Sequence, residues 1–595
     1  MREYSTPLTT EVPRTGNLTD DVVANVRTAG SAVVFNRRAG GAWQDVTAAR
    51  FLGEVSAVAK GLVAAGVEPG DRVALISRTR YEWTLVDYAI WFAGAVTVPL
   101  YDTSSADQIS WILRDSGARA VIAEGAAQLG RIAEVRGDLD ELNHVWTLED
   151  NAIDVLTRLG ADISDDDLEK RRTTATPLDL ATLIYTSGTT GNPKGCMLTH
   201  GNFMFELAVA VDELEELFTA DGSTLLFLPL AHVLARIVQV GCVRSRTRLA
   251  HSASVTTLIP DLGDYRPTFV LAVPRVFEKM FNTASQRATA DGRGRLFDRA
   301  AETAIAWSRG LDRGGPSLAV RARHAAFSRL VYGRLRESLG GECRYAVSGG
   351  APLGDRLGHF YRGIGLTVLE GYGLTETTAA ITVNTPDAHK VGTVGRPLPG
   401  TSVRVADDGE LLCRGGQVFA GYWNDEEATR EVLERDGWLH TGDVGEVDDE
   451  GFVRVTGRKR EILVTAGGKN VAPAVLEDRL RAHPLISQCL VVGDGQPFIA
   501  ALMTLDREAA TQWAEAHGRS RRLADLADDA DLRAEVGAAV DDANQAVSRA
   551  ESIRKFTILG RDWTEEGGQL TPSLKLKRRV VMRECRDEIA DLYRT

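Results

Sequence analysis

The sequence lacks the cysteine spacing that a disulfide framework or a zinc site requires. Its six cysteines are scattered over 595 residues, and no C-x-x-C pair occurs among them. This pattern argues against small disulfide-rich domains and zinc ribbons, and it predicts a protein of the reducing cytoplasm.

Long apolar runs are missing as well. Residues 1–21 contain no apolar signal core, and the longest nearly uncharged run is Tyr88–Tyr101. That run is shorter than the roughly 20 residues that a membrane helix needs. We therefore expect neither secretion nor a membrane span, while a peripheral contact with a membrane stays open.

The chain also has no excess of positive charge. It carries 82 acidic against 69 basic residues, which gives a formal net charge of -13. Broad electrostatic binding of nucleic acid is therefore not expected, and small molecules or proteins are the predicted partners. The content of hydrophobic residues, 44%, and of charged residues, 25%, is typical of soluble globular chains.

The order of apolar segments predicts a multidomain α/β protein. A chain of 595 residues is too long for one core. A helical pattern over Ala48–Ala65 precedes the strand-like run Arg72–Ser77, and this alternation, which continues beyond, indicates parallel α/β layers. We predict a large N-terminal domain over 1–456, with a helical insertion at about 276–342 and a β-rich subdomain after residue 395. A small α+β C-terminal domain is predicted over 457–595.

A glycine-rich segment, YTSGTTGNPKG at Tyr185–Gly195, follows the predicted strand Leu180–Ser187. Glycines let backbone N–H groups approach an anion, hydroxyl groups add donors and Lys194 adds a positive charge, so the segment suits phosphate. It is not an ATPase P-loop, because Lys194 follows proline and precedes glycine instead of Ser or Thr. A flexible surface loop is the alternative interpretation at this stage.

Four later motifs accompany this segment in a fixed order: EGYGLTETT at 370–378, GWLHTGD at 437–443, GRKREILVTAGGKN at 457–470 and LTPSLKLKRR at 570–579. With YTSGTTGNPKG they resemble the adenylate-forming superfamily, which includes acyl-CoA synthetases, luciferases and peptide-synthetase adenylation domains. The motifs span nearly 400 residues of the chain. The resemblance implies ATP as a co-substrate and Mg²⁺ as a cofactor.

Several motif residues also have a physical interpretation as nucleotide ligands. Tyr372 offers an aromatic face for adenine, and the Asp443 carboxylate suits the two ribose hydroxyls, which the resemblance also assigns to Arg458. The resemblance assigns ATP or AMP binding to Thr186, Ser187, Gly188, Thr189, Thr190, Gly191, Lys194, Gly350, Ala351, Gly371, Tyr372, Gly373, Thr375, Asp443 and Arg458.

The implied chemistry brings a carboxylate and a phosphate together, which requires positive charge. By resemblance, the C-terminal domain is mobile and delivers Lys575 to the substrate carboxylate and the α-phosphate, while Thr186 and Glu376 serve catalysis and hold Mg²⁺. No general base is needed, because the carboxylate is already ionised near neutral pH. Read without the resemblance, KLKRR would be a solvated basic patch.

The acyl and thiol sites follow from the same resemblance. His232 stands in LPLAHVLARI, where amino-acid-activating domains usually have an aspartate, so it is expected to line an acyl site together with Gly350 and Ala351. Gly467, Gly468 and Lys469 are expected to contact coenzyme A. Gly457 replaces the acidic residue of the usual hinge pattern, which leaves rotation feasible and the usual locking contact in doubt.

The front segment Arg80–Leu113 and the helical insertion are similar to the long-chain fatty acyl-CoA synthetases of bacteria. We therefore predict an ATP-dependent long-chain fatty acid:CoA ligase that forms an acyl-AMP and then an acyl-CoA. Two alternatives remain at this stage: a fatty acyl-AMP ligase that loads a carrier protein, and a non-catalytic fatty acid or acyl-AMP binding module.

Overall fold

The computed structural model describes residues 2–186, 192–253, 257–571 and 574–594. It is a mixed α/β structure in which helices cover parallel sheets, so the predicted fold class is confirmed. The first parallel sheet has one antiparallel edge. Its strands, in spatial order, are His144–Thr147, Ala118–Ala123, Arg72–Ile76, Val96–Leu100, Leu180–Thr186 and Lys194–Thr199.

The second large sheet is parallel at its centre and antiparallel at both edges. Its strands, in spatial order, are Arg396–Pro397, Thr382–Val383, Thr367–Tyr372, Tyr345–Ser348, Phe269–Ala272, Ser223–Leu226, Arg248–His251, Val33–Ala39 and Ala42–Thr47. The strands at the centre are buried on both faces, which explains why they are nearly continuous apolar runs in the sequence.

Four strands after residue 395 form an antiparallel sheet, as the alternating pattern predicts, and Glu3–Ser5 adds a strand at its edge. Its strands, in spatial order, are Glu3–Ser5, Ser402–Val405, Glu410–Arg414, Leu439–Val447 and Val453–Arg458. The C-terminal part contains the sheet Ile486–Val492, Ile499–Leu505 and Ile553–Leu559, and the short hairpin Leu463–Val464 and Asn470–Val471.

Helices pack on the faces of these sheets. Those before residue 274 are Asp20–Ala29, Ala48–Ala64, Tyr81–Phe92, Ala106–Ser116, Ala126–Val135, Ala152–Leu159, Asp165–Arg172, His200–Glu213, Val233–Ser245 and Leu258–Tyr265. The helical tract that follows consists of Pro274–Ala290, Gly294–Leu311, Leu318–Phe327 and Gly333–Glu337, and later helices are Asp355–Gly363, Glu426–Val432, Pro473–Arg481, Arg507–His517, Leu523–Ala527, Ala530–Asn544, Arg578–Glu584 and Arg586–Tyr593.

Local signals in the sequence fix the helix that follows the glycine-rich segment. The Thr199 hydroxyl accepts a hydrogen bond from the Asn202 backbone N–H at 3.1 Å, and the Asn202 side chain accepts one from the Thr199 N–H at 2.9 Å. This reciprocal cap starts the helix His200–Glu213 directly after the strand Lys194–Thr199.

A buried ion pair anchors the neighbouring helix Val233–Ser245. Arg236 and Asp87 are both fully buried, with Arg236 Nε 3.0 Å from Asp87 Oδ2. Thr97 and Gln239 also donate hydrogen bonds to this carboxylate, at 2.8 and 3.2 Å. Because the partners come from different parts of the fold, the network holds this helix against the first sheet.

The apolar cores divide along the chain. Two clusters are built from residues up to Val453, and two others from residues between Val471 and Leu592. Among the helices in the described ranges, none is both long and apolar enough to cross a membrane.

Candidate active site

A cleft of about 2700 Å³ lies between the large sheets and the C-terminal part of the chain. Thr186 ends one parallel strand, Gly350 follows another, and Tyr372 ends a third. The cleft therefore lies at the carboxyl ends of the strands, where open α/β sheets bind ligands. The predicted site residues that line it are Thr186, Lys194, His232, Gly350, Ala351, Gly371, Tyr372, Gly373, Thr375, Glu376, Asp443, Gly457, Arg458 and Lys575.

Asp443 forms a hydrogen-bonded group with Tyr372 and Arg458. The Tyr372 hydroxyl donates to Asp443 Oδ2 at 2.7 Å, and Arg458 Nε lies 3.1 Å from Oδ1. Asp443 and Arg458 are opposite each other on neighbouring antiparallel strands. Burial raises the pKa of Asp443, while the Arg458 charge opposes that change. The carboxylate is thus fixed between two residues that also border the cleft.

The EGYGLTETT motif folds back on itself through glycine. A Cβ atom built on Gly373 would lie 1.5 Å from the Ala379 carbonyl oxygen, so only glycine fits there. Ala379 itself has φ of 114° and Thr378 has φ of 54°, conformations that residues with a side chain rarely adopt. This strained turn presents the helical turn that carries Glu376 to the cleft.

Glu376 and Lys194 share Tyr422 as a neighbour. The Tyr422 hydroxyl donates to Glu376 Oε1 at 2.8 Å, and the Lys194 ammonium lies 5.2 Å from the centre of the Tyr422 ring. Lys194 also lies 3.4 Å from Asp425 Oδ2. Tyr422 therefore contacts both the Glu376 carboxylate and the Lys194 ammonium group, and both charged groups border the cleft.

Thr186 and Glu376 both lie near Cys196. Thr186 Oγ1 lies 3.9 Å from Cys196 Sγ, while burial and then the charge of Glu376 raise the pKa of the Cys196 thiol. The strand that ends at Thr186 is followed in the chain by an antiparallel strand that begins at Lys194, whereas an ATPase P-loop leads into a helix. The predicted phosphate ligands Ser187, Gly188, Thr189, Thr190 and Gly191 lie outside the described residues.

The oxygen atoms at this place fit Mg²⁺ held jointly with a phosphate. The Tyr422 hydroxyl donates a hydrogen bond to Oε1 of Glu376, so Oε2 can bind a ligand. The Thr186 hydroxyl, which also borders the cleft, adds a further oxygen ligand. In the described ranges, no group of three or more His, Cys, Asp or Glu side chains could hold a metal alone. Such a donor set suits Mg²⁺, which is commonly bound by one or two carboxylates together with phosphates and waters.

Lys575 reaches the cleft from the C-terminal part of the chain. A Cβ atom built on Gly350 would lie 3.6 Å from Lys575 Cε and 3.8 Å from its Nζ. The Thr571 hydroxyl accepts from the Lys575 N–H at 3.0 Å, and the Thr571 N–H donates to the Lys575 carbonyl at 2.8 Å. Lys575 is exposed to solvent, and partial desolvation beside the cleft together with the nearby Arg458 charge lowers its pKa.

His232 borders the cleft within range of the Lys575 charge. Its Nδ1 accepts a hydrogen bond from the Leu234 N–H at 3.2 Å, at the start of the helix Val233–Ser245. Burial, and then the Lys575 charge, lower the pKa of His232 to about 4. The ring is therefore neutral near neutral pH, and because Nδ1 is an acceptor, Nε2 carries the proton. His232 thus offers one N–H donor to a ligand.

The residues predicted to contact coenzyme A lie elsewhere. Gly467, Gly468 and Lys469 are exposed in a turn outside the cleft, where Lys469 Nζ is 3.6 Å from Glu551 Oε1. Gly457 lies in the strand Val453–Arg458, and a Cβ atom there would make only an ordinary contact, 3.6 Å from Ala472 Cβ. Next to it, Lys459 Nζ pairs with Asp408 at 2.6 Å and with Glu410 at 2.8 Å.

Motif reasoning missed several residues of the site. Tyr422, Asp425, Asp408 and Glu410 belong to none of the motifs, and Lys459 lies in a motif that did not predict its pairing with Asp408 and Glu410. Each acts through a partner far away in the chain, such as Glu376 for Tyr422. The sequence carries no signal for these pairs other than the polar residues themselves.

Glu370 provides a test of the electrostatics at the base of the cleft. Burial raises the pKa of Glu370 from 4.5 to about 7, although the Leu353 N–H donates to its Oε2 at 3.0 Å. The folded protein therefore holds a proton that the unfolded chain has lost, so this group destabilises the fold as pH rises from about 4.5 to about 7.

Glu370→Gln should raise the free energy of unfolding by up to about 3 kcal/mol near pH 8 and much less near pH 5. Thermal unfolding at the two pH values checks this, and an equal gain at both would contradict it.

Comparison with known proteins identifies two regions. Residues 22–423 match the model of a family described as AMP-binding enzyme, and residues 460–595 match the model described as AMP-binding enzyme C-terminal domain. A long-chain-fatty-acid–CoA ligase of Mycobacterium bovis, FadD15, is 51% identical over 598 residues, with 100% of both chains covered.

Solved structures share the fold at lower sequence identity. ATP-bound MatB from Rhodopseudomonas palustris superposes with a TM-score of 0.71 at 23% identity, covering 96% of this chain and 99% of MatB. The A domain of a carboxylic acid reductase from Segniliparus rugosus, in complex with AMP and a co-purified carboxylic acid, gives a TM-score of 0.73 at 21% identity and covers 97% and 94% of the two chains.

Proposed function

Because this chain belongs to the AMP-binding enzyme family, we propose that it is an ATP-dependent long-chain fatty acid:CoA ligase. The observation that carries the proposal is the convergence of Lys575 and His232 on one cleft with Asp443 and Glu376. A carrier-loading ligase is not favoured, because relatives that match over their full length are named CoA ligases.

In the first step, a carboxylate oxygen of the fatty acid attacks the α-phosphorus of ATP, the bond to the β-phosphate oxygen breaks, and acyl-AMP and pyrophosphate form. Asp443 holds the ribose, Tyr372 packs on the adenine, and Lys194 faces the outer phosphates. Lys575 neutralises the two anions as they meet, and the neutral His232 donates Nε2–H to the acyl carboxylate. Glu376 and Thr186 would hold Mg²⁺, which would supply further charge neutralisation on the phosphates.

In the second step, the thiol of coenzyme A attacks the acyl carbonyl, and AMP leaves. We propose that the part of the chain after residue 456 rotates between the steps, removing Lys575 and bringing Gly467, Gly468 and Lys469 toward the cleft. Their exposure outside the cleft, while Lys575 is inside it, fits the arrangement for the first step.

A panel of saturated acids from about six to about twenty carbons tests the proposed function, since each buried CH₂ adds about 0.8 kcal/mol. Pyrophosphate and AMP release are measured with and without coenzyme A. Long acids should release AMP only when coenzyme A is present. Release driven by a carrier protein but not by coenzyme A would support the alternative ligase, and no pyrophosphate with any acid would indicate a binding module.

Gly457→Pro tests the proposed hinge. Glycine is not required in the present conformation, and we propose that its freedom serves a rotated one. Proline restricts φ and removes a backbone donor, and it should slow thioester formation roughly tenfold more than adenylation. Gly457→Ala is the matched control and should retain both half-reactions. Equal loss of both steps in the proline variant would argue against a hinge at this residue.

We further propose that the enzyme is cytoplasmic and binds anionic membranes peripherally. Residues 313–336 contain six arginines and no acidic residue, in a chain of net charge -13. Leu318 and Leu330 in the same segment are 81% and 61% exposed. Exposed leucines beside arginines suit the surface of an anionic bilayer, from which a long-chain acid could be collected.

Vesicle binding tests this contact. The double variant Arg321→Ala/Arg323→Ala should bind vesicles that contain phosphatidylglycerol roughly thirtyfold more weakly, because each of the two arginines near such a surface contributes about 1 kcal/mol. Arg521→Ala/Arg522→Ala, in the exposed part of the C-terminal region, is the control with equal charge change. Equal binding to zwitterionic vesicles, or equal loss in both variants, would contradict the proposal.

A further inference from the structure

One buried carboxyl group interrupts an otherwise apolar wall of the cleft. Glu206, on the helix His200–Glu213, is 1% exposed and borders the cleft. This helix and Val233–Ser245 both lie wholly in described ranges, and every other side chain that they place at the cleft is apolar. The apolar members that form this wall include Leu207, Ala210, Val211, Leu234, Ile237 and Val238.

Half of this carboxyl group has a structural partner. Glu206 Oε1 accepts a hydrogen bond from the Ala380 N–H at 3.1 Å, directly after the strained Thr378–Ala379 pair. A carbonyl oxygen alone would satisfy that donor, so glutamine would serve equally well. The bond therefore explains one polar atom of the side chain and leaves the second, Oε2, unexplained.

The other oxygen, Oε2, is buried and has no hydrogen-bond partner within the described ranges. Burial raises the pKa of Glu206 well above 4.5, and Oε2 has no donor in the described ranges that would stabilise a negative charge, so the site favours the neutral acid. Because Oε1 accepts from Ala380, the proton resides on Oε2. An O–H donor is thus directed into apolar surroundings without an acceptor, an arrangement that native proteins usually avoid.

We propose that Glu206 Oε2–H binds an oxygen substituent, a hydroxyl or keto group, on the hydrocarbon chain of the acid substrate. The wall is built to hold a hydrocarbon chain, and an acid with an oxygen at the matching carbon would supply the missing acceptor. Since such a chain would lie in the acyl site, this inference rests on the proposed ligase function.

The test compares eighteen-carbon acids that carry one hydroxyl at different carbons with the unsubstituted acid. In the wild-type enzyme, kcat/KM relative to the unsubstituted acid should show a maximum at one position, roughly tenfold above its neighbours, because an unpaired buried hydroxyl is penalised by about that factor. Glu206→Met should lower the ratio at that position roughly tenfold, and Glu206→Gln, which keeps a donor and an acceptor, should retain it.

The ratio is taken within each variant, so a change in absolute rate does not affect it. As a second measurement, the infrared C=O band of the protonated carboxyl should shift when the matching hydroxy acid binds to wild type, and Glu206→Gln should lack that band. A ratio without a maximum, or one that Glu206→Met leaves unaltered, would overturn the inference. If the wild-type enzyme failed to activate the unsubstituted acid, the proposed ligase function itself would fail.

Discussion

Replacing Lys575 with alanine is expected to slow acyl-AMP formation roughly a thousandfold, because no lysine then neutralises the substrate carboxylate and the α-phosphate as they react. The same variant should convert supplied acyl-AMP to acyl-CoA at nearly the wild-type rate, since that step needs no charge at the α-phosphate. Pyrophosphate release measures the first step, and thioester formation from supplied acyl-AMP measures the second.

Lys577→Ala is the matched control for this prediction. It removes a lysine from the same basic run, two residues from Lys575, and should leave both half-reactions close to wild type. A Lys575→Ala enzyme that forms acyl-AMP normally would exclude the assigned role. Equal loss in the two lysine variants would show that the segment acts through its fold or total charge.

Much of the fold follows from local patterns. Arg72–Ser77 was predicted as a buried strand, and the structure has a strand over Arg72–Ile76. Such a strand is recognisable because both of its faces are covered, so its sequence is a continuous apolar run. The helix predicted over Ala48–Ala65 extends over Ala48–Ala64 for a related reason, since one apolar stripe faces the core.

The site was predictable only in part. Tyr372, Asp443 and Arg458 belong to motifs, yet the motifs do not state that the tyrosine and the arginine both contact the same carboxylate. Glu206 and Tyr422 were missed, because their importance comes from surroundings that only the folded chain creates. Tyr422 acts through Glu376, a partner from a distant segment, and Glu206 is notable because its Oε2 has no hydrogen-bond partner in the described ranges. No spacing of residues in the sequence indicates either property.

Glu376→Gln should reduce acyl-AMP formation roughly a hundredfold, because the amide keeps the shape of the side chain but removes the charge that would hold a cation beside the phosphates. The Mg²⁺ concentration that gives the half-maximal rate should be higher in Glu376→Gln than in the wild-type enzyme. Tyr422→Phe is the matched control, since it removes the hydrogen bond to Glu376 Oε1 and keeps the carboxylate. Tyr422→Phe should reduce the rate of acyl-AMP formation about tenfold, which corresponds to the loss of a hydrogen bond to a charged group.

The Mg²⁺ titration separates the two catalytic residues. Lys575 acts on the reacting carboxylate and α-phosphate, so its removal should leave the half-maximal Mg²⁺ concentration near the wild-type value at a much lower maximal rate. Glu376→Gln should shift that concentration upward, and excess Mg²⁺ should recover part of the lost rate. An unchanged Mg²⁺ requirement in Glu376→Gln would place the carboxylate outside the metal site, and its Tyr422 contact would then be structural.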